Sequence, residues 1–153
     1  MSGFQIQLSG NAIQSLQRLV AAGGNLSQPM RVISQKLLNS VRKNFRTGGR
    51  YSWAGSIEGG SAQWRPAANP PSRGSTLYRH GHLFRSILPD SNFDSASVST
   101  NVEYAAIHNF GGPILRRGRQ VATMVARPFM VIQPEDMIQA QVILERHLRR
   151  AFR

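Results

Sequence analysis

Several groups of side chains in this sequence have types and spacings from which chemistry could be built. His80 and His82 form a His-x-His pair that His108 could join in space. Zinc takes three or four ligands, commonly with thiolates or carboxylates among them. The chain has no Cys, and the acids closest in sequence are Asp90 and Glu103. The paired histidines therefore read as locally hydrogen-bonded side chains, and His108, beside Ile107, as a satisfied, half-buried histidine. No metal and no cofactor is expected. Asp90 and Asp94 are the carboxylates best spaced for acid–base work, but in the run Pro89-Asp90-Ser91-Asn92-Phe93-Asp94 they are expected to make turns by bonding their own backbone. With 7 acids in the whole chain, a two-metal site is hard to assemble. There is no G-x-S-x-G elbow, S-x-x-K, H-E-x-x-H, phosphate-binding P-loop or G-x-G-x-x-G. An enzyme is not expected.

The remaining candidates are cationic and aromatic. The 153 residues carry 19 Lys+Arg against 7 Asp+Glu, a formal charge of +12. Between Met1 and Ile57 there is no acid, against Arg18, Arg31, Lys36, Arg42, Lys43, Arg46 and Arg50. Only Lys36 and Lys43 are lysines, and arginine grips carboxylate or phosphate bidentately, which hints at fixed contacts. Nucleic acid, anionic lipid or an acidic protein surface could balance this charge. Ile114–Gln120 reads as a turn loaded with Arg116, Arg117 and Arg119, either solvated or in contact with an acidic partner subunit or DNA. Trp53 and Trp64, with Tyr51, interleave with Arg46, Arg50 and Arg65 as single-strand binding platforms do. Equally, the tryptophans could dock on this domain or a neighbour. No helix-turn-helix, RRM, KH or zinc-finger pattern is found. No run approaches 18 apolar residues, and the N-terminus lacks a basic and apolar leader, so neither a membrane span nor a secretory signal is expected. Absence of Cys is compatible with a reducing compartment.

The elements that must position these residues follow from periodicity and punctuation. A helix is expected over Asn11–Ala22, stopped by Gly23-Gly24. A second, over Ser27–Phe45, has Ser27 as its cap and Pro29 in its first turn. Met30, Ile33, Leu37, Leu38, Val41 and Phe45 share one face of it, and Arg31, Lys36, Arg42, Lys43 and Arg46 the other. Residues 47–75 form a long Gly/Pro/Ser-rich loop or arm. A short helix is expected over Leu77–Ile87 and a strand over Ala96–Val102. Tyr104–Phe110 reads as a packed apolar segment, with Tyr104, Ile107 and Phe110 in the core, closed by a Gly111-Gly112-Pro113 turn with φ > 0 at a glycine. Val121–Ala126 and Phe129–Ile132 read as short strands around Arg127-Pro128. Arg127 is held extended by Pro128 and reaches either a neighbour's acid or the carbonyls of its own turn. A last helix, Glu135–Phe152, carries acids at its start, arginines at its end, and a buried stripe of Met137, Ile138, Ala140, Leu144, Leu148 and Phe152. The expected fold is α+β: a single domain, 1–153, with a small, mostly antiparallel sheet packed by two or three helices.

Four stretches together resemble a known family. They are Trp64-Arg65-Pro66; Thr76–Ile87, with Gly81 and Leu83; Tyr104–Gly112, with His108, Phe110, Gly111 and Gly112; and Ala126-Arg127-Pro128-Phe129-Met130. Their order and spacing are similar to the phage virion morphogenesis (tail completion) family of Mu-like tailed phages, over about residues 27 to 150. His80 stands where that family usually has Thr, and Val125 where Pro often precedes the Ala-Arg-Pro-Phe run. The resemblance implies a structural role at the virion neck or tail end, in tail completion and head–tail joining. It also implies assembly as a ring, often six-fold, in the host cytoplasm, with no catalytic residues. Expected partners are copies of itself, other neck and tail proteins and, secondarily, genomic DNA in the channel, with no membrane. The residues alone leave a small DNA- or RNA-binding protein as the alternative.

Overall fold

The computed structural model describes residues 4–7, 25–47, 77–78 and 80–151. The expected helix Asn11–Ala22 and the arm, with Trp53 and Trp64, lie outside the described residues. The described elements are strand β1 (Phe4–Gln7), helix α1 (Ser27–Thr47), helix α2 (His82–Ser86), strands β2 (Leu88–Ser91) and β3 (Ala96–Thr100), helix α3 (Ala105–Phe110), strands β4 (Gly112–Arg116) and β5 (Arg119–Met124), and helix α4 (Pro134–Ala151). Helices combined with small antiparallel sheets make the fold α+β, as expected.

Helix α1 forms where the periodicity places it. Met30, Ile33, Leu37, Leu38, Val41 and Phe45 are each at most 5% exposed, while Arg31, Lys36, Lys43 and Arg46 are exposed. Its start differs in detail from expectation. Ser27 does not cap the helix; it is the first helical residue and donates its N–H to Asn25 Oδ1 at 2.8 Å. The Leu26 carbonyl accepts the first helical bond, from Met30.

The chain divides into two compact units. One comprises Gln5–Ser40, Leu88–Ser99 and Ile132–Arg153. Its sheet has the order β1-β3-β2, with β2 antiparallel to β3 in the register Leu88↔Ser99 to Ser91↔Ala96. Asp90 is therefore a strand residue rather than the turn residue expected, and the turn falls at Asn92–Ser95, where the Asn92 N–H donates to the Ser95 carbonyl. Ala96 and Val98 on β3 are fully buried, with Leu26 just ahead of α1, Met30, Ile33 and Leu37 of α1, and Ala140 and Leu144 of α4. Helices α1 and α4 run antiparallel, tied at both ends. Ser40 Oγ donates to Asp136 Oδ2 at 2.7 Å, and His147 Nε2 lies 3.0 Å from the Asn25 carbonyl. Asp136 Oδ2 also accepts the Gln133 N–H at 2.9 Å, the N3-to-N-cap half of a capping box, with Pro134 at the first helical position.

The stripe expected on α4 is only half right. Ala140 and Leu144 are buried, but Met137 is 40% and Ile138 63% exposed, as is Val142, outside the expected stripe, at 45%; Phe152 lies outside the described residues. Buried Asp136 fixes the phase. It brings Ala140, Ile143, Leu144 and His147 inward, and so turns Ile138 and Val142 outward.

The second unit comprises Met1–Phe4, Val41–Ile87 and Thr100–Val131. Phe45, at 0% exposure, stacks with Phe84 and Phe129 at centroid distances of 5.4 and 5.2 Å, and Arg42 lies 5.4 Å over the Phe84 ring. Helix α2 is shorter than the expected Leu77–Ile87. Leu77 and Gly81 have φ of 60° and 72°, so regular helix starts only at His82. The Phe129–Ile132 strand does not form. Asn109 Oδ1 accepts the N–H groups of both Phe129 (3.0 Å) and Met130 (2.9 Å), and Asn44 Nδ2 donates to the Phe129 carbonyl at 2.8 Å. Side chains take the bonds that a ladder would have used.

Candidate interaction surface

The two stretches that carry the family resemblance most specifically are docked against each other. Tyr104–Phe110 is not an extended core segment but the cap and body of helix α3. Its core residues are Ala105 and Asn109, whereas Tyr104 and Phe110 are 44% and 68% exposed and Ile107 is half-buried. A six-residue helix shows too little periodicity to be distinguished from a strand. Gly111 closes it at φ 74°, as expected of this glycine pair, with its N–H on the Ile107 carbonyl at 2.9 Å. A Cβ there would meet the Met124 carbonyl oxygen at 2.8 Å and the Ala126 nitrogen at 2.9 Å, so the close backbone approach requires glycine. Gly112 also has positive φ, 136°, and opens β4. Arg127 N–H donates to the His108 carbonyl at 2.8 Å, and Asn109 holds Phe129 and Met130, beyond exposed Pro128.

His108 is half-buried as expected. Its buried Nδ1 has no hydrogen-bond partner among the described residues, and the Tyr104 ring meets its ring edge-on at 5.7 Å. Burial, then the charge of Arg127, holds the imidazole pKa below its ordinary 6.5. Arg127 is only 9% exposed. Its Nη1 faces Met124 Sδ at 3.7 Å, its Nε has no partner among the described residues, and burial lowers its pKa from the ordinary guanidinium value. Tyr104 Oη lies 3.2 Å from His82 Nδ1, and Arg85 Nη2 donates to the His80 carbonyl at 2.7 Å. The histidines thus serve local bonds, and among the described residues no three His, Asp or Glu side chains converge as a metal ligand set would. Gly81, at φ 72°, packs under the Tyr78 ring, and Leu83 is buried behind it.

Of the hairpin that follows, the charged turn and the second strand were expected, the latter as Val121–Ala126 against the observed Arg119–Met124, while the first strand was not. Strands β4 and β5 pair antiparallel from Gly112↔Met124 to Arg116↔Arg119, with a bulge between Ile114 and Leu115. The loop is two residues, Arg117 and Gly118, both left-handed at φ 51° and 76°, the signature of a type I′ turn. Arg116, Arg117 and Arg119 are all exposed and, with Val121, line one shallow concavity. Leu115 is 63% and Val121 51% exposed. The missed signal was the glycine two residues after Arg116, flanked by alternating apolar residues, in a run where three arginines hid the strand pattern.

The comparisons with known proteins agree with one another. A profile of the phage virion morphogenesis family matches residues 9–149. The chain is 34% identical over 136 residues to the Mu-like prophage FluMu G protein 2 of Haemophilus influenzae, covering 89% of this chain and 88% of that protein. No solved structure matches.

Proposed function

The chain belongs to the phage virion morphogenesis family, and from that premise we propose that it is a structural part of the virion's neck or tail end. There it acts in tail completion and head–tail joining, assembled as a hexameric ring. The observation that carries this reading is the β4–β5 hairpin, with exposed Leu115 and Val121 beside an exposed cluster of arginines. A two-stranded hairpin is marginal in water on its own, and apolar side chains rimmed by charge mark a surface that a partner completes. The work is binding rather than catalysis: copies bury apolar surface against one another, and arginines meet acidic neighbours among the neck and tail proteins. Genomic DNA passing through the ring is the secondary contact.

Removing the gene from the phage that encodes it tests the reading. The expected result is DNA-filled heads and separate tails, or tails with aberrant ends, restored to virions by supplying the protein. Normal virions from the deletion would contradict it.

A further inference from the structure

We infer that the contact between copies is heterologous: the β4–β5 hairpin of one copy seats on the outward face of helix α4 of the next. This rests on the ring reading above and names its two surfaces. On α4, Glu135, Ile138, Val142 and Glu145 fall within an arc of about 80° at 100° per residue, on the side away from Ala140 and Leu144. All four are exposed. Ile138 and Val142 thus form an apolar centre with Glu135 at one end and Glu145 at the other, where Arg146, Arg149 and Arg150 line the same concavity as Val142 and Glu145. The hairpin is its counterpart in both respects, with Leu115 and Val121 as an apolar pair and Arg116, Arg117 and Arg119 around them.

Charge selects the occupant. In a chain of net charge +12, most of the surface repels an arginine cluster. Of the four exposed acids among the described residues, Glu135 and Glu145 flank an exposed apolar patch on one element. The hairpin tip also carries an internal cost that an anionic neighbour relieves. Arg116 and Arg119 are directly opposed in the register, where like charges destabilise. Two different patches that complement each other, rather than one patch that complements itself, generate a head-to-tail contact, and such contacts close into rings.

The chain has no cysteine, so single thiols report contacts without background. Leu115→Cys and Ile138→Cys variants of the full chain, purified separately and mixed under mild oxidation, should give disulfide-linked dimers, while each alone should not. Arg116→Glu/Arg119→Glu and Glu135→Arg/Glu145→Arg should each lower the oligomeric fraction about tenfold or more. Mixing these two variants should restore it, because every hairpin then meets a helix of opposite sign. That rescue also shows that both variants are folded. Wild-type rings without cross-linking in the mixture, or Leu115→Cys chains linking to each other, would overturn the inference and leave the ring reading standing. So would unchanged rings together with lost DNA binding in Arg116→Glu/Arg119→Glu, which would assign the tip to phosphate. A wild-type chain that stays monomeric both alone and with tails would overturn the ring reading itself.

Discussion

Arg116 and Arg119 stand directly opposite each other across the β4–β5 register, on either side of the left-handed Arg117-Gly118 turn. Opposed like charges on a hairpin are destabilising by a few tenths to about 1 kcal/mol, and a non-glycine residue in the left-handed region adds about 1–2 kcal/mol. The subunit carries this strain at its exposed hairpin tip. Arg117→Gly should therefore stabilise the isolated protein by about 1 kcal/mol, and Arg119→Thr by about 0.5 kcal/mol, in denaturant unfolding. Both should weaken assembly. Loss of stability from Arg117→Gly would show that the arginine is held by its own subunit.

Two glycines in left-handed conformations should behave differently. Gly111→Ala forces a Cβ to 2.8 Å from the Met124 carbonyl oxygen, a backbone atom that cannot swing aside. Gly118→Ala meets nothing within 4 Å. The first should cost more than about 2 kcal/mol and the second about 1 kcal/mol, read as the shift in urea midpoint.

Asn109 and Asp136 each hold two groups with one oxygen. Asn109→Ala strips acceptors from the buried Phe129 and Met130 N–H groups, and Asp136→Ala strips them from Ser40 Oγ and the Gln133 N–H. Each should cost about 2–4 kcal/mol, against about 1 kcal/mol for Ser40→Ala, which leaves the cap in place. Thermal unfolding of the three variants separates these outcomes.

His108 should make the protein sensitive to mild acid. Its folded pKa lies below the ordinary 6.5, so above 6.5 the imidazole is neutral in both states and its contribution is intact. As pH falls below 6.5, the unfolded chain takes up the proton first, and stability declines until the folded pKa is passed. The melting temperature of the wild type should fall more than that of His108→Leu between pH 7.5 and 5, a range of about two units around the ordinary histidine value. Equal falls would place the acid response elsewhere.

What could be read in the residues follows from length of signal. Helix α1 offers six apolar positions in phase over 21 residues, and every one is buried. Helix α4 was found, but its apolar residues lie on two faces. Only the buried cap Asp136, bonded to a side chain 96 residues away, decides which face turns in. The same long-range logic hides α3 and the segment after Pro128, where Asn109 and Asn44 replace a strand ladder. The arginines at the hairpin tip were visible as a cluster. A turn was read over Ile114–Gln120, but not its tight two-residue form, because Arg-Gly lacks the Asn-Gly or Asp-Gly signal of a type I′ hairpin. The outward apolar face of α4 was not legible, since Ile138 was assigned to the core and Val142 to no face.

The most direct test of the account is a cryo-electron microscopy reconstruction of the virion neck and tail end, with this chain located by a tag. The account predicts a closed ring of copies at the head-proximal end of the tail, α4 of each copy facing the hairpin of its neighbour. Absence of the chain from the mature virion, or isolated copies bound along the DNA, would contradict it.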